Sequence, residues 1–236
     1  MQQATQPGFA ACHGCSLCLL PCPMWRAHRD VSYSPQGFAK AMQAGASASD
    51  LADQLVCCIQ CGACDVMCPE QIDLSGMVSK LWKQAGLSES IELSESIGLS
   101  ESIELPDSIE WIPQPSNDKV FAMSKNPMVQ AQLSCKDLYI IDAAPFHTHH
   151  AERVQHYDAL RHSTGCSMNL DLNRMAIPTG ADSVSARMGK FDVAQQLDWL
   201  MQGHDFKRIV VECELDQSTL AKIIDQPVIH VSKLLE

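Results

Sequence analysis

Apolar residues recur at helical spacing in the first third of the chain and gather into short unbroken runs in the last. Residues 34–44 put Phe38, Ala41 and Met42 on one helix face, with Gly45 as a stop. Residues 49–56 follow, with Ser49 placed to cap and Leu51 and Leu55 spaced i, i+4. Asp73 caps a third predicted helix whose Leu74, Met77, Val78 and Leu81 share a face and which Gly86 ends. Further on, residues 138–144 (LYIIDAA) and 208–213 (RIVVEC) read as buried strands, and residues 227–231 as a short final one. Helices are predicted over 149–162, over 190–201 ended by Gly203, and over 216–224 with Asp216 as a cap, before a terminal turn at 232–236. Strands alternating with helices predict a small α/β unit with a mostly parallel sheet.

Between these regions residues 87–110 read LSESIE, LSESIG, LSESIE, LPDSIE, an internal repeat of four hexads. A period of six fits neither a helix nor a heptad. Its acidity favours a solvated linker, with a segment docking its Leu and Ile positions on a partner as the rival reading. Pro106, Pro113, Pro115 and Pro127 extend the expected irregular stretch to about Ser134. The predicted class is therefore α+β: a helical cysteine-rich domain over 1–86, an acidic linker over 87–134, and the α/β domain over 135–236.

Charge and composition narrow the function. The formal net charge is −11, which disfavours nucleic acid, since phosphate binding needs clustered Lys and Arg. Glu89, Glu92, Glu95, Glu101, Glu104, Asp107 and Glu110 place seven negatives in the repeat, with no Lys or Arg among them. The first residues lack a basic region and a long apolar run, and no stretch approaches the roughly 20 apolar residues that span a bilayer. A cytoplasmic, reducing location without a direct membrane span is expected. There, twelve cysteines read as metal sites rather than disulfides.

Nine of the twelve cysteines lie before Gly86, and eight of them repeat one pattern. Cys12-x2-Cys15-x2-Cys18-x3-Cys22-Pro23 is the first motif, and Cys58-x2-Cys61-x2-Cys64-x3-Cys68-Pro69 the second. Soft thiolates suit iron–sulfur clusters, and two-residue gaps let three successive cysteines curl round one cubane. The fourth, followed by proline, is directed away and ligates the other cluster in two-cluster proteins. The pattern predicts two 4Fe–4S clusters, one on Cys12, Cys15, Cys18 and Cys68, the other on Cys58, Cys61, Cys64 and Cys22. Zinc is the competing ion for Cys-x2-Cys pairs. Cys57 is out of register and reads as a small buried bystander.

The paired motifs, separated by a helical stretch, resemble the helical dicluster ferredoxin domain found in the small iron–sulfur component of heterodisulfide reductase. The phrase SPQGFAKAMQAG between them resembles a segment of the iron–sulfur subunits of glycolate oxidase and of anaerobic glycerol-3-phosphate dehydrogenase. The last third more faintly resembles the cysteine-rich CCG domain of the same superfamily, in degenerate form. Cys213-Glu-Leu-Asp216 stands where Cys-x-x-Cys is expected, Arg174 to Ile177 where Cys-Cys-Gly is expected, and Asp142-Ala-Ala-Pro-Phe-His147 resembles a turn without its thiol. The closing PVIHVSKLLE fits the usual strand-and-helix ending. The resemblance implies an electron-transfer iron–sulfur subunit without catalysis of its own, in a hetero-oligomeric oxidoreductase complex with a flavoprotein or a CCG-domain subunit. It also implies that the α/β tail docks rather than reduces disulfides.

Other constellations leave two alternatives open. His147, His149, His150, His156 and His162 crowd one region, where surface or capping roles are expected, with metal binding or support of a partner site as rivals. Of Cys135, Cys166 and Cys213, Cys213 is expected in the core and Cys166, after Gly165 in a loop, as the reactive thiol. The rival functions are a cluster-based redox sensor or scaffold, and a thiol/disulfide-active subunit using Cys166 or Cys213. No Gly-rich phosphate loop is seen, so no nucleotide or flavin site is expected.

Overall fold

The computed structural model describes residues 8–87, 118–171, 173–181, 183–202 and 204–236. The hexad repeat from Ser88 onward and the helix stop at Gly203 lie outside the described residues. The cysteine-rich region is built from short helices: α1 Pro23–His28, α2 Pro35–Gln43, α3 Ala52–Leu55, α4 Ala63–Val66 and α5 Leu74–Gln84. The two longest are capped by side chains, at Asp73 as the sequence signals and at Ser34 in addition. The Ser34 hydroxyl accepts from the Gly37 N–H at 3.1 Å, and the Asp73 carboxylate from the Gly76 N–H at 2.8 Å. Gly37 is needed for a reason spacing does not show. A Cβ there would lie 2.1 Å from the Val31 carbonyl oxygen, so only glycine lets α2 close on the preceding turn. Phe38, Leu55, Leu74, Val78, Leu81 and Trp82 form the core of this region, and the Trp82 indole donates to the Leu55 carbonyl at 2.8 Å.

Residues up to Ser134 are not all irregular. Helices α6 Asp118–Ser124 and α7 Pro127–Gln132 follow the repeat and pack on the sheet through Val120, Phe121 and Val129. Pro127 sits in the first turn of α7 and so starts that helix, with Asn126 as its cap. Strand β1 Asp137–Ile140 comes next, then α8 Ala143–Thr148, α9 His150–Thr164, β2 Ser167–Met168, α10 Val184–Arg187, α11 Val193–Met201, β3 Arg208–Val211, α12 Glu214–Leu220 and β4 Val228–His230. The four strands are all parallel, in the order β2-β1-β3-β4. The chain crosses to one side of β1 and then to the other, which makes β1/β3 the topological switch point. Asp216, expected as a cap, instead lies buried in the first turn of α12 and accepts from the Thr179 hydroxyl at 2.7 Å.

Strand alternation divides the sheet's two faces. Tyr139, Ile141 and Val210 face α6, α7 and α9. Leu138, Ile140, Ile209 and Val211 face Phe191, Val193 and Leu197, and this same core takes in Cys22, Met24, Val56 and Cys57 of the cysteine-rich region. The two regions therefore share a hydrophobic core. The guanidinium of Arg26, at 4.0 Å over the Trp199 ring, adds a cation–π contact across the same junction.

At the carboxyl end of β3 the fully buried Glu212 ties three elements together. It accepts from the hydroxyls of Tyr139 and Tyr157 at 2.7 and 2.5 Å and from the Asp142 N–H at 3.0 Å. Burial nonetheless raises its pKa, against those hydrogen bonds. Glu212→Gln would keep the acceptor for the tyrosines and turn a donor toward the Asp142 N–H. That mismatch should cost about 1–3 kcal/mol, read as a lowered urea midpoint with unchanged m.

Candidate iron–sulfur site

The motif cysteines sit on tight turns between the short helices. Gly14 and Gly62, both with positive φ (81° and 73°), turn the chain after Cys12 and Cys61. Ser16 and Gln60 adopt left-handed conformations beside them, a strained geometry for non-glycine residues. Cys12, Cys15, Cys18 and Cys68 line one cavity together with His13, Gly14, Gln36, Pro69, Glu70, Ile72 and Leu74. The fourth cysteine of the second motif thus stands beside the first three of the first motif. Cys22 lies between the two motifs: its charge acts on Cys18 of its own motif and on Cys58, Cys61 and Cys64 of the second. Pro23 opens α1 directly after Cys22, which is the residue at that helix's N-terminal cap.

Burial dominates the chemistry of these thiols. It pushes Cys18 up to about 12, with the charge of Cys22 adding and the Gln36 N–H opposing. It pushes Cys61 up to about 12 as well, against the Ala63 N–H, and raises Cys22, Cys58 and Cys64 above the ordinary thiol value. Cys58, Cys61 and Cys64 are partly exposed as residues, yet their sulfurs are surrounded by protein and by one another. The charges that act most on these three sulfurs are other thiols and Asp65. Such a donor set fits a group that brings its own positive charge and accepts thiolates. The N–H groups of Gln60, Ala63, Met24 and Trp25 face the sulfurs of Cys58, Cys61 and Cys22, as donors to a thiolate should. Among the described residues no three His, Cys, Asp or Glu side chains converge closely enough for one metal ion. A cubane is wider than one ion and spreads its four thiolates further apart.

Two of the remaining cysteines, Cys166 and Cys213, depart from expectation. Cys57 is buried and donates toward the Asp53 carbonyl at 3.4 Å, as a bystander would. Cys166 is only 1 % exposed, packs in the sheet core and has its thiol raised by burial, so the loop after Gly165 folds inward and the reactive role expected there is not supported. Cys135 is exposed. Cys213 is half-buried and lines a crevice at the β1/β3 switch point with Asp142, Thr179, Asp216 and, from the second motif loop, Gln60 and Cys61.

The histidines do not form one group. His150, His156 and His162 bond to the Arg174 carbonyl, the Ser124 hydroxyl and the Asp158 carbonyl respectively. His147 is buried, and its Nδ1 lies 2.8 Å from the Cys61 carbonyl oxygen. Burial lowers its pKa to about 4, so the ring is neutral near pH 7. Spacing and composition do not single out Ser185, yet it reaches the same loop. Fully buried on α10, its hydroxyl lies 2.8 Å from the Val56 carbonyl and 2.9 Å from that of Cys58. Only the weak capping signal of Ser183 marks this helix in the sequence.

The raised thiols give a direct prediction for the iron-free, reduced chain. Folded thiols stay protonated where unfolded ones, at about 9.0, ionise. Their contribution to stability is complete below pH 9 and is lost as pH rises towards 12. Urea midpoints of the iron-free chain should fall above pH 9, and iron loading, which needs thiolates, should release protons.

Comparison with known proteins agrees with this geometry for the N-terminal part. Residues 8–72 match the model of a family described as a 4Fe-4S dicluster domain. No curated protein and no solved structure matches the chain. No helix among the described residues is long and apolar enough to cross a membrane. The match at 8–72, falling on the region that gathers the motif thiols, supports an iron–sulfur protein of ferredoxin type.

Proposed function

We propose that the chain holds two 4Fe–4S clusters and relays single electrons as a subunit of a heterodisulfide-reductase-like oxidoreductase complex. Cys12, Cys15, Cys18 and Cys68 hold one cluster, and Cys58, Cys61, Cys64 and Cys22 the other. The observation that carries this reading is Cys68 lining one cavity with the first three cysteines of the other motif. Each cluster, when bound, takes up and gives up one electron. The protein supplies thiolates, N–H donors to sulfur and burial, which set the potentials. The first motif lies toward solvent, with Cys15 exposed and Leu17 and Leu20 exposed at 40 % and 47 %. The second lies against the α/β domain, so electrons enter or leave most easily at the first. A flavoprotein or a CCG-domain subunit is the expected partner, and the α/β domain is the part that docks. A cytoplasmic location fits this role.

One observation favours a second reading, that of a thiol-active chain. Cys213 and Cys61 line the same crevice, so a thiol there lies beside the second cluster loop.

Anaerobic reconstitution should give about eight irons per chain, four in each cubane, and dithionite should reduce them. Cys68→Ser should abolish or convert the cluster on the first motif, and Cys22→Ser the one on the second. Full occupancy by zinc, or uptake of a single cluster, would contradict the relay. Cys213→Ser should leave electron transfer between co-purified partners unchanged, whereas its loss would favour the thiol-active reading.

A further inference from the structure

The two cysteine loops are anchored by different parts of the chain. The first is held from within its own region: Lys40 Nζ donates to the Cys12 carbonyl at 2.7 Å, and Gln43 Nε2 to the same oxygen at 2.9 Å. The second is held from the α/β domain. His147, on α8 just past the end of β1, meets the Cys61 carbonyl, and Ser185, on α10, meets the Cys58 carbonyl. A carbonyl oxygen can only accept, so the proton on His147 Nδ1 makes this bond. The ring also meets the Ala176 backbone, so it joins the cysteine loop to the segment that follows β2. A buried imidazole held between two backbone groups is better explained by what it ties together than by packing.

We infer that His147 and Ser185 are positioning residues that fix the peptides of the second cysteine loop and thereby set the properties of the cluster it holds, independently of the first. This rests on the two-cluster reading above. The physical route is short. A trans peptide is planar, and its C=O and N–H point in opposite directions. Tying the Cys61 carbonyl to His147 therefore fixes the plane of the Cys61–Gly62 peptide and turns the Gly62 N–H to the opposite side. Gly62, with φ of +73°, is the soft joint of this loop, since it lacks the Cβ that would restrict it. The next N–H, that of Ala63, faces the Cys61 sulfur. Ser185 acts in the same way on the Cys58 peptide, whose sulfur faces the Gln60 N–H. Hydrogen bonds to ligand sulfurs are one of the main determinants of cluster potential. Side chains about 86 and 127 residues away in sequence thus orient the donors that matter for one cluster. The close contact of α8 with the loop is tight but not forced, as a Cβ on Gly62 would stop 3.9 Å from the His147 Cβ.

The test is an EPR-monitored redox titration of the reconstituted full chain and four variants. His147→Leu and Ser185→Ala should each shift one of the two midpoint potentials, the same one, and leave the other in place. His147→Asn, whose amide can donate from nearly the position of Nδ1, should restore it. Lys40→Met, acting on the Cys12 loop, should move the other potential. Should His147→Leu fail to fold, Ser185→Ala, which removes a single oxygen, carries the test with the Lys40 variant as its reference. Unmoved potentials in variants that keep their full iron content would overturn the inference. So would equal movement of both, or a shift that His147→Asn does not reverse. If the unsubstituted chain itself lacks two clusters, the iron count reveals it before any variant is compared, and the relay reading falls together with this inference.

Discussion

The structure turns on the burial of cysteine thiols on two neighbouring loops. Cys68 of the second motif lines a cavity with Cys12, Cys15 and Cys18 of the first, and the buried Cys22 stands between the motifs, its charge acting on Cys18 and on Cys58, Cys61 and Cys64. Pro23 opens α1 directly after Cys22, and Pro69 lies in a turn after Cys68. Thiols raised this far by burial are costly as thiolates, so positive charge brought by a bound group would stabilise them. The core around Phe38 and Leu55 is small, so ligands joined through a bound group would add to its stability.

The second consequence is that the α/β part does not hang from this region as a separate body. Met24, Val56 and Cys57 are packed against Leu138, Ile140 and Val211 in one core, and Ser185 and His147 reach the second loop directly. The loop therefore has the carboxyl end of a parallel sheet as its support, the place where such sheets ordinarily present functional groups. The first loop faces solvent, near the exposed Leu17 and Leu20.

Much of this is legible in the chain. The two cysteine runs specify their chemistry by spacing alone. The cap at Asp73, the helical spacing from residue 34 and the apolar runs at Leu138 and Ile209 mark helices and strands to within a few residues, because local hydrogen bonding and periodicity decide those elements. What is not legible depends on contacts far apart in sequence. The helices at Asp118–Ser124 and Pro127–Gln132 are short, and the prolines around them read as loop, yet burial of Phe121 and Val129 on the sheet stabilises them. Cys166 reads as exposed because its neighbour is glycine, but that glycine turns the chain into the core. His147 is one of several crowded histidines, and only the docking of α8 against α4 separates it from the rest.

The central claim is the crossed ligation, and iron-edge anomalous diffraction from crystals of the loaded chain tests it most directly. Two iron sites are expected, one bonded to Cys12, Cys15, Cys18 and Cys68, the other to Cys58, Cys61, Cys64 and Cys22. Anomalous density that places Cys22 or Cys68 on the cluster of its own motif, or away from iron altogether, would contradict the account.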